Sequence, residues 1–398
     1  MISSGIKMGT IRFSENQFVE QPKTSNFPSL QKAAFFLAII VLILTLFGLA
    51  MLYSTSSGVE GAKLFVKQMV WSLLGIFGVL LINQLGYKKL LHFSLYFIII
   101  CWVLLMLARL NRPINGSHRW IRVGSFSIQP SEFAKLAIIM FLAHFCATKQ
   151  RFLNDFKKGL IPIGAVCGIT AGLIFLGKDL GTTILVVLTC GAMLFVAGIK
   201  IRSLILPIIV ITPMLIFYLK GFDPERWSRI VSFIDPEAQA QGSGYQLWNS
   251  LLALGSGSWT GLGFTKSRMK AFYLPEAHTD FILAITGEEL GYIFILFIIF
   301  CYFSFMCLSI YISINSPDRQ GMFLGFGIAI MIAIQSIINL GVISGGLPTK
   351  GIPAPFISYG GSNLLVNLCC AGLIISIATK MSTEPHDESD FFSPTHRE

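Results

Sequence analysis

The chain has 398 residues, 54% of them hydrophobic and only 13% charged, with a mean hydropathy of +0.71. Too few polar side chains are present to cover a water-facing surface, which excludes a soluble protein of two or three domains and leaves the membrane class. The net charge of +10 has no compact basic domain to carry it, so nucleic acid is excluded as a partner; charge asymmetry across a membrane or an anionic ligand remains.

The first 32 residues are polar and lack the short apolar core and small-residue cleavage site of a secretory signal, so 1–32 is expected to be a cytoplasmic N-terminal segment. Apolar stretches near the bilayer-spanning length of about 20 residues fall near 33–53, 68–86, 90–108, 131–147, 159–176, 180–198, 204–219, 281–313, 320–342 and 363–379. The predicted fold is therefore an all-α polytopic membrane protein with about ten transmembrane helices over 33–379. Alternate connectors are short and basic, carrying Lys88 and Lys89, then Lys149, Arg151, Lys157 and Lys158, then Lys200 and Arg202. By the positive-inside rule they face the cytoplasm, as do both termini. One large extracytoplasmic loop, 220–280, separates helices 7 and 8. The tail, 380–398, is polar, acidic and rich in Ser, Thr and Pro, and is expected to be disordered in the cytoplasm. The eight cysteines all lie in or beside apolar runs, without metal-ligand spacing, and read as small core- or lipid-facing side chains.

Two loops on the outer face break the charge rule. The first, 109–130, carries Arg109, Arg112, Arg119 and Arg122; the second carries Lys220, Arg226, Arg229, Lys266, Arg268 and Lys270. A sixty-residue loop can translocate whatever its charges, but ten basic residues on the disfavoured face suggest an anionic ligand, and phosphate suits arginine best. Within the long loop, Tyr245–Leu254 is predicted to form a short helix on the membrane surface through Leu247, Trp248, Leu251 and Leu252. The glycines at 255–263 lack the ending of a nucleotide-binding loop and read as turn-forming backbone.

The stretch 271–281 gathers Glu276, His278 and Asp280 just before an apolar run resumes. Two readings of Asp280 compete on spacing alone. It, or Thr279, is a good N-cap for the next helix; alternatively its carboxyl, partly dehydrated beside lipid, gains basicity and serves as a general base. Glu276 is a partner for a nearby cation or part of that site, and His278 an orienting hydrogen-bond group. Glu288 and Glu289 lie about 12 Å further along a regular helix, too far to work with Asp280 as paired carboxylates, and read as buried partners of cations. Lys135 and Glu132 stand one turn apart and either pair or act in function. Lys178 and Asp179 carry the same ambiguity. Lys350 is the basic residue of the last outer loop, which ends in Ser358-Tyr359-Gly360-Gly361-Ser362.

Leu274-Pro275-Glu276-Ala277-His278-Thr279-Asp280-Phe281 with Gly287-Glu288-Glu289-Leu290-Gly291 resembles the hallmark of the SEDS family. So do Asn115-Gly116-Ser117-His118-Arg119-Trp120, Gln129-Pro130-Ser131-Glu132-Phe133-Ala134-Lys135, Gly244-Tyr245-Gln246-Leu247 and Pro355-Phe356-Ile357-Ser358-Tyr359-Gly360-Gly361-Ser362. Ala277 looks most like the cell-division branch. The resemblance implies a peptidoglycan glycosyltransferase that polymerises lipid II at the division septum, with a class B penicillin-binding protein as transpeptidase partner and other divisome proteins nearby. Asp280 matches the family's essential acid; Arg119, Lys135 and Lys350 match functional basic positions. Gly177-Lys178 before Asp179-Leu180-Gly181-Thr182, and Asn363 in place of a second serine, depart from the family pattern.

The mechanism expected is an inverting transfer in which Asp280 deprotonates the acceptor hydroxyl. The lipid-diphosphate leaving group is already anionic, so it needs cations more than an acid, and one carboxylate suffices where a glycosidase uses two. Arg119, Arg226, Arg229, Lys266 and Lys350 are the candidate clamps, with Lys135, Glu276, His278 and Ser358 completing the substrate-binding set. A divalent cation, Mg or Mn, is the one cofactor left open, and no permanent metal site is marked. The rival readings are a lipid II flippase and a divisome scaffold.

Overall fold

The computed structural model describes residues 27–56, 63–111, 117–124, 126–349 and 351–380. The helices run α1 (Phe27–Ser56), α2 (Lys63–Leu85), α3 (Tyr87–His92), α4 (Ser94–Leu110), α5 (Pro130–Thr148), α6 (Ile161–Leu176), α7 (Leu180–Val196) and α8 (Ile201–Phe222). They continue as α9 (Pro224–Ile234), α10 (Tyr245–Gly257), α11 (Met269–Phe272), α12 (Ile282–Leu290), α13 (Tyr292–Ile314), α14 (Arg319–Ile343) and α15 (Gly361–Lys380). Among the described residues eight helical segments are long and apolar enough to cross a bilayer. The apolar α4 and α7, 17 residues each, complete the ten spans expected. A two-stranded antiparallel hairpin, β1 (Ile121–Val123) and β2 (Phe126–Ile128), pairs Arg122 with Ser127 and is the small departure from an all-α chain.

Local chemistry sets the boundaries. Pro130 opens α5 after the extended Gln129, where its missing N–H costs nothing. Asp179 caps α7 through the Thr182 N–H, Asp223 caps α9 through Arg226, and Asp318 caps α14 through Gly321. α5, α14 and α15 form the centre: 78% of the α15 span is buried, against 6% of α8. The N-terminal 1–26 and the tail from 381 lie outside the described residues.

One expectation for the region before α13 is corrected. The apolar run 281–313 is not one helix, because Gly291 at φ 82° splits it into α12 and α13. A Cβ at Gly291 would lie 2.3 Å from the Trp259 carbonyl oxygen, so both the conformation and the close approach require glycine. α10 forms as expected and packs Leu247, Asn249, Ser250, Ala253, Leu254 and Gly257 against the protein, with Ser250 Oγ donating to the Ile343 carbonyl (2.9 Å), while Leu252 stays exposed.

The carboxylates at the end of α12 explain this arrangement. Glu289 accepts from Lys270 Nζ (2.7 Å), Ser54 Oγ and the N–H groups of Thr265 and Ser267. Glu288 accepts from Ser267 Oγ and the N–H groups of Arg268 and Met269. Glu289 thus has the cationic partner expected, whereas Glu288 is satisfied by N–H and hydroxyl donors. Together they tie loop 258–270 to α12.

Candidate active site

Four connectors meet at one end of the bundle: those after α4, α6, α11 and α14. The last runs through Ile352–Gly360 and is suspended from the helices by side chains. Gln335 Nε2 donates to the Pro353 carbonyl (2.8 Å) and Asn339 Nδ2 to those of Ile352 and Asp280 (2.9 Å each). Tyr302 Oη donates to Pro355 (2.7 Å) and Gln68 Nε2 to Ser358 (3.1 Å). Within the loop the Ser358 hydroxyl accepts the Ala354 N–H at 2.8 Å, and Phe356 takes φ 64°.

Beside it, Glu276 also holds a positive φ, 60°, and its carbonyl accepts the N–H groups of Thr279 and Phe281. The N-cap position of α12 is Phe281, with no side-chain cap bond. The capping reading of Asp280 is therefore corrected: the turn closes one residue later, through backbone alone, which releases the Asp280 carboxyl. That carboxyl faces Gly351, where an added Cβ would lie 3.1 Å from Oδ2 and 3.9 Å from Arg119 Nη1. Asp280, Gly351 and Arg119 share one recess. Burial pushes the Asp280 carboxyl up to about 7, although the residue keeps some exposed surface. Glu276 adds to the rise, Arg119 opposes it, Asp179 adds and Arg229 opposes.

Arg119 stands between carboxylates. Its Nη1 lies 3.7 Å from Asp179 Oδ1, and its buried Nε has no hydrogen-bond partner. Asp179 is 2% exposed and immobilised: Oδ2 accepts from Gln129 Nε2 (3.0 Å) and Ser131 Oγ (3.1 Å), and Oδ1 from the Thr182 N–H (3.1 Å). Lys178, just before it, takes φ 62°. Three non-glycine residues in the connectors that meet at this end, Lys178, Glu276 and Phe356, thus hold positive φ. Each costs of order 1–3 kcal/mol, and such strain gathers where shape matters to function.

A family model described as cell cycle protein, for FtsW, RodA and SpoVE, matches residues 34–383. A probable peptidoglycan glycosyltransferase FtsW from Trichlorobacter lovleyi is 35% identical over 358 residues, covering 88% of this chain and 94% of that one. The stage V sporulation protein E of Bacillus subtilis is 39% identical over 352 residues, covering 86% and 96%. The chain belongs to the FtsW/RodA/SpoVE family. A solved chain of a peptidoglycan synthase complex that coordinates polymerization and crosslinking has the same fold. Its TM-score is 0.74 at 23% identity, over 88% of this chain and 98% of that one. As a member of the FtsW/RodA/SpoVE family this is a multi-pass bacterial membrane protein.

Not every residue expected at an FtsW/RodA/SpoVE site is brought to the recess. Arg119, Glu276 and Asp280 gather there, and Arg229, exposed on α9, acts on Asp280 electrostatically. Arg226 is paired with Asp223 at 3.4 Å. Lys266 is exposed, with its stem beside Gly263. His278 packs its ring on Tyr359 (centroids 5.8 Å apart), and its carbonyl accepts the Tyr359 N–H, so it fastens two loops together. Ser358 is 2% exposed, and its hydroxyl shapes its own turn. Lys350 lies outside the described residues, between Thr349 and Gly351. Among the described residues no group of three or more His, Cys, Asp or Glu is placed to hold a metal ion.

Lys135 forms the pair with Glu132 that their one-turn spacing allowed. At 2% exposure it is enclosed between Glu132 Oε2 (2.8 Å) and Gln335 Oε1 (3.2 Å), and Asn363 Nδ2 donates to the same Glu132 oxygen (2.9 Å). It braces Gln335, which in turn holds Pro353, so Lys135 supports the site loop from beneath. Lys135→Ala strands a buried carboxylate and is expected to lower stability by about 3–5 kcal/mol. Lys135→Met with Glu132→Gln removes both charges and should recover most of that loss in thermal unfolding in detergent. Gln68, Gln335, Asn339 and Gly351 were not anticipated. The signal for the first three was their place in apolar runs, where an amide is costly without a partner.

Proposed function

We infer that the chain is a peptidoglycan glycosyltransferase that polymerises lipid II into glycan strands during cell division. The observation that carries this reading is the Asp280 recess: a carboxyl whose affinity for protons is tuned to about 7, beside an arginine with an unused Nε donor. Asp280 takes the proton of the acceptor hydroxyl as its oxygen attacks the anomeric carbon of the lipid-linked donor, inverting that centre. Arg119, with Arg229 and Lys350 nearby in the chain or the field, neutralises the departing lipid diphosphate. A Mg or Mn ion would arrive with that diphosphate and share the neutralisation. The site end faces the exterior and both termini the cytoplasm, because Lys88 and Lys89 of α3, Lys149, Arg151, Lys157, Lys158 and Lys200 of the connectors, and Arg202 at the start of α8 gather at the opposite end.

A class B penicillin-binding protein is the expected transpeptidase partner at the septum, with other divisome proteins. The flippase alternative drew on intramembrane charges at Lys135, Glu132, Glu288 and Glu289. All four have protein partners, which leaves that reading without a distinct support. The test is polymerisation of purified lipid II by the full chain with its transpeptidase partner, read as glycan strands on a gel. Translocation of lipid II in vesicles without any glycan product would overturn the proposal.

The pH profile follows from the same carboxyl. A base acts only when ionised, so the rate should rise with pH through about 7 and level off above it. Glu276→Gln removes a neighbouring negative charge that raises the Asp280 value, so the rising limb should move to lower pH. An unchanged limb in a folded Glu276→Gln protein would separate Asp280 from the titration.

A further inference from the structure

The end of the bundle opposite the site carries a second charged surface. The connector between α5 and α6 holds Lys149, Arg151, Lys157 and Lys158, and the connector into α8 holds Lys200, with Arg202 in the first turn of α8; all six are exposed. Among the described residues none of the six forms an ion pair. Asp155, the one acid in these connectors, is committed to backbone: its Oδ1 accepts the N–H groups of Lys157 and Lys158, both at 2.9 Å.

A positive-inside bias accounts for the presence of cations but asks nothing of their arrangement. Here the arrangement is built. Asn154 crosses from one connector to the other, with Nδ2 donating to the Gly198 carbonyl and Oδ1 accepting the Lys200 N–H, each at 3.1 Å. The first connector folds so tightly that a Cβ at Gly159 would lie 2.1 Å from the Phe152 carbonyl oxygen. Leu153 is buried beneath it. Lys158 Nζ sits 5.1 Å over the Phe152 ring, while Phe156 is 70% exposed. The cations are thus held on one surface, edged by aromatics, at the level where four membrane helices begin or end.

We propose that this two-connector platform binds the phosphate headgroups of anionic glycerophospholipids. The cations take the phosphodiesters, and Phe152 and Phe156 enter the headgroup–acyl boundary, where aromatic rings are favoured. Free phosphate would satisfy the cations but give the two rings no partner, so the surface favours lipid. This assignment needs only that the chain is a membrane protein and is independent of glycosyl transfer.

Native mass spectrometry of the full chain, titrated with dioleoyl-phosphatidylglycerol or dioleoyl-phosphatidylcholine, tests it. The parent should retain the anionic lipid selectively. Each basic group near an anionic surface strengthens attachment about fivefold, so K157Q/K200Q should bind about twenty-fivefold more weakly. K32Q/K89Q, with the same charge change on exposed lysines elsewhere at this end, should change binding by less than about threefold. Asn154→Ala keeps every charge but unties the connectors, and should weaken selective binding several-fold. K157R/K200R should retain it, which keeps the test open if the glutamine pair does not fold. Equal losses in the two glutamine pairs, or full selectivity in Asn154→Ala, would reduce the surface to diffuse charge and overturn the proposal. Displacement of the lipid by inorganic polyphosphate at equal phosphate would overturn the lipid assignment in favour of a free anion.

Discussion

Asp280→Ala should slow lipid II polymerisation by about 10²–10⁴-fold, the range that loss of a positioned general base produces. The side chain is not a cap, and the Asp280 carbonyl keeps its bond from Asn339 whatever stands at 280. Removing a carboxyl that Glu276 and Asp179 both disfavour when charged also relieves repulsion. Thermal stability should therefore be equal or higher, and the loss should appear in kcat. Asp280→Asn, which keeps the shape and abolishes the basicity, should be as slow as alanine. A folded Asp280→Ala protein within about threefold of the parent would show that another group takes the proton.

Arg119→Gln is expected to cost about 10²–10³-fold, comparable to loss of one strong donor to a developing anion. The loss has two parts that pH separates. Without Arg119 the Asp280 carboxyl loses a neighbour that opposes its rise, so a smaller fraction is ionised at neutral pH; raising the pH restores that part. The contribution to the leaving diphosphate does not return with pH, because Gln carries no charge. Arg119→Lys should recover some of the second part, since a point charge replaces a planar fork with several donors. Full recovery of Arg119→Gln at high pH would confine Arg119 to tuning its neighbour and remove it from the diphosphate clamp.

The spans were legible because about twenty consecutive apolar residues admit few other folds, and the gathering of Arg119 and Asp280 was legible from motif resemblance. What was not legible depended on packing. Gly291 inside an apolar run gives no sign of a break until Trp259 is known to press against it. Lys135 reads alike as a brace or a ligand in sequence, and its enclosure by Glu132, Gln335 and Asn363 appears only in the packing. Thr279 and Asp280 both suit a cap by residue type, yet the turn at Glu276 moves that position to Phe281. Propensity acts locally, whereas these choices are made by residues far away in sequence.

The break at Gly291 has a mechanical consequence. α12 has nine residues, a rod about 13 Å long, with Asp280 just before one end and the anchoring carboxylates Glu288 and Glu289 at the other. Its interior is packed on all sides, so it moves as a unit. Loop 258–270 and the proton-accepting group are then joined as the handle and the tip of one stiff lever. A push on the handle enters through the Glu288 and Glu289 carboxylates and reaches the tip along the α12 backbone.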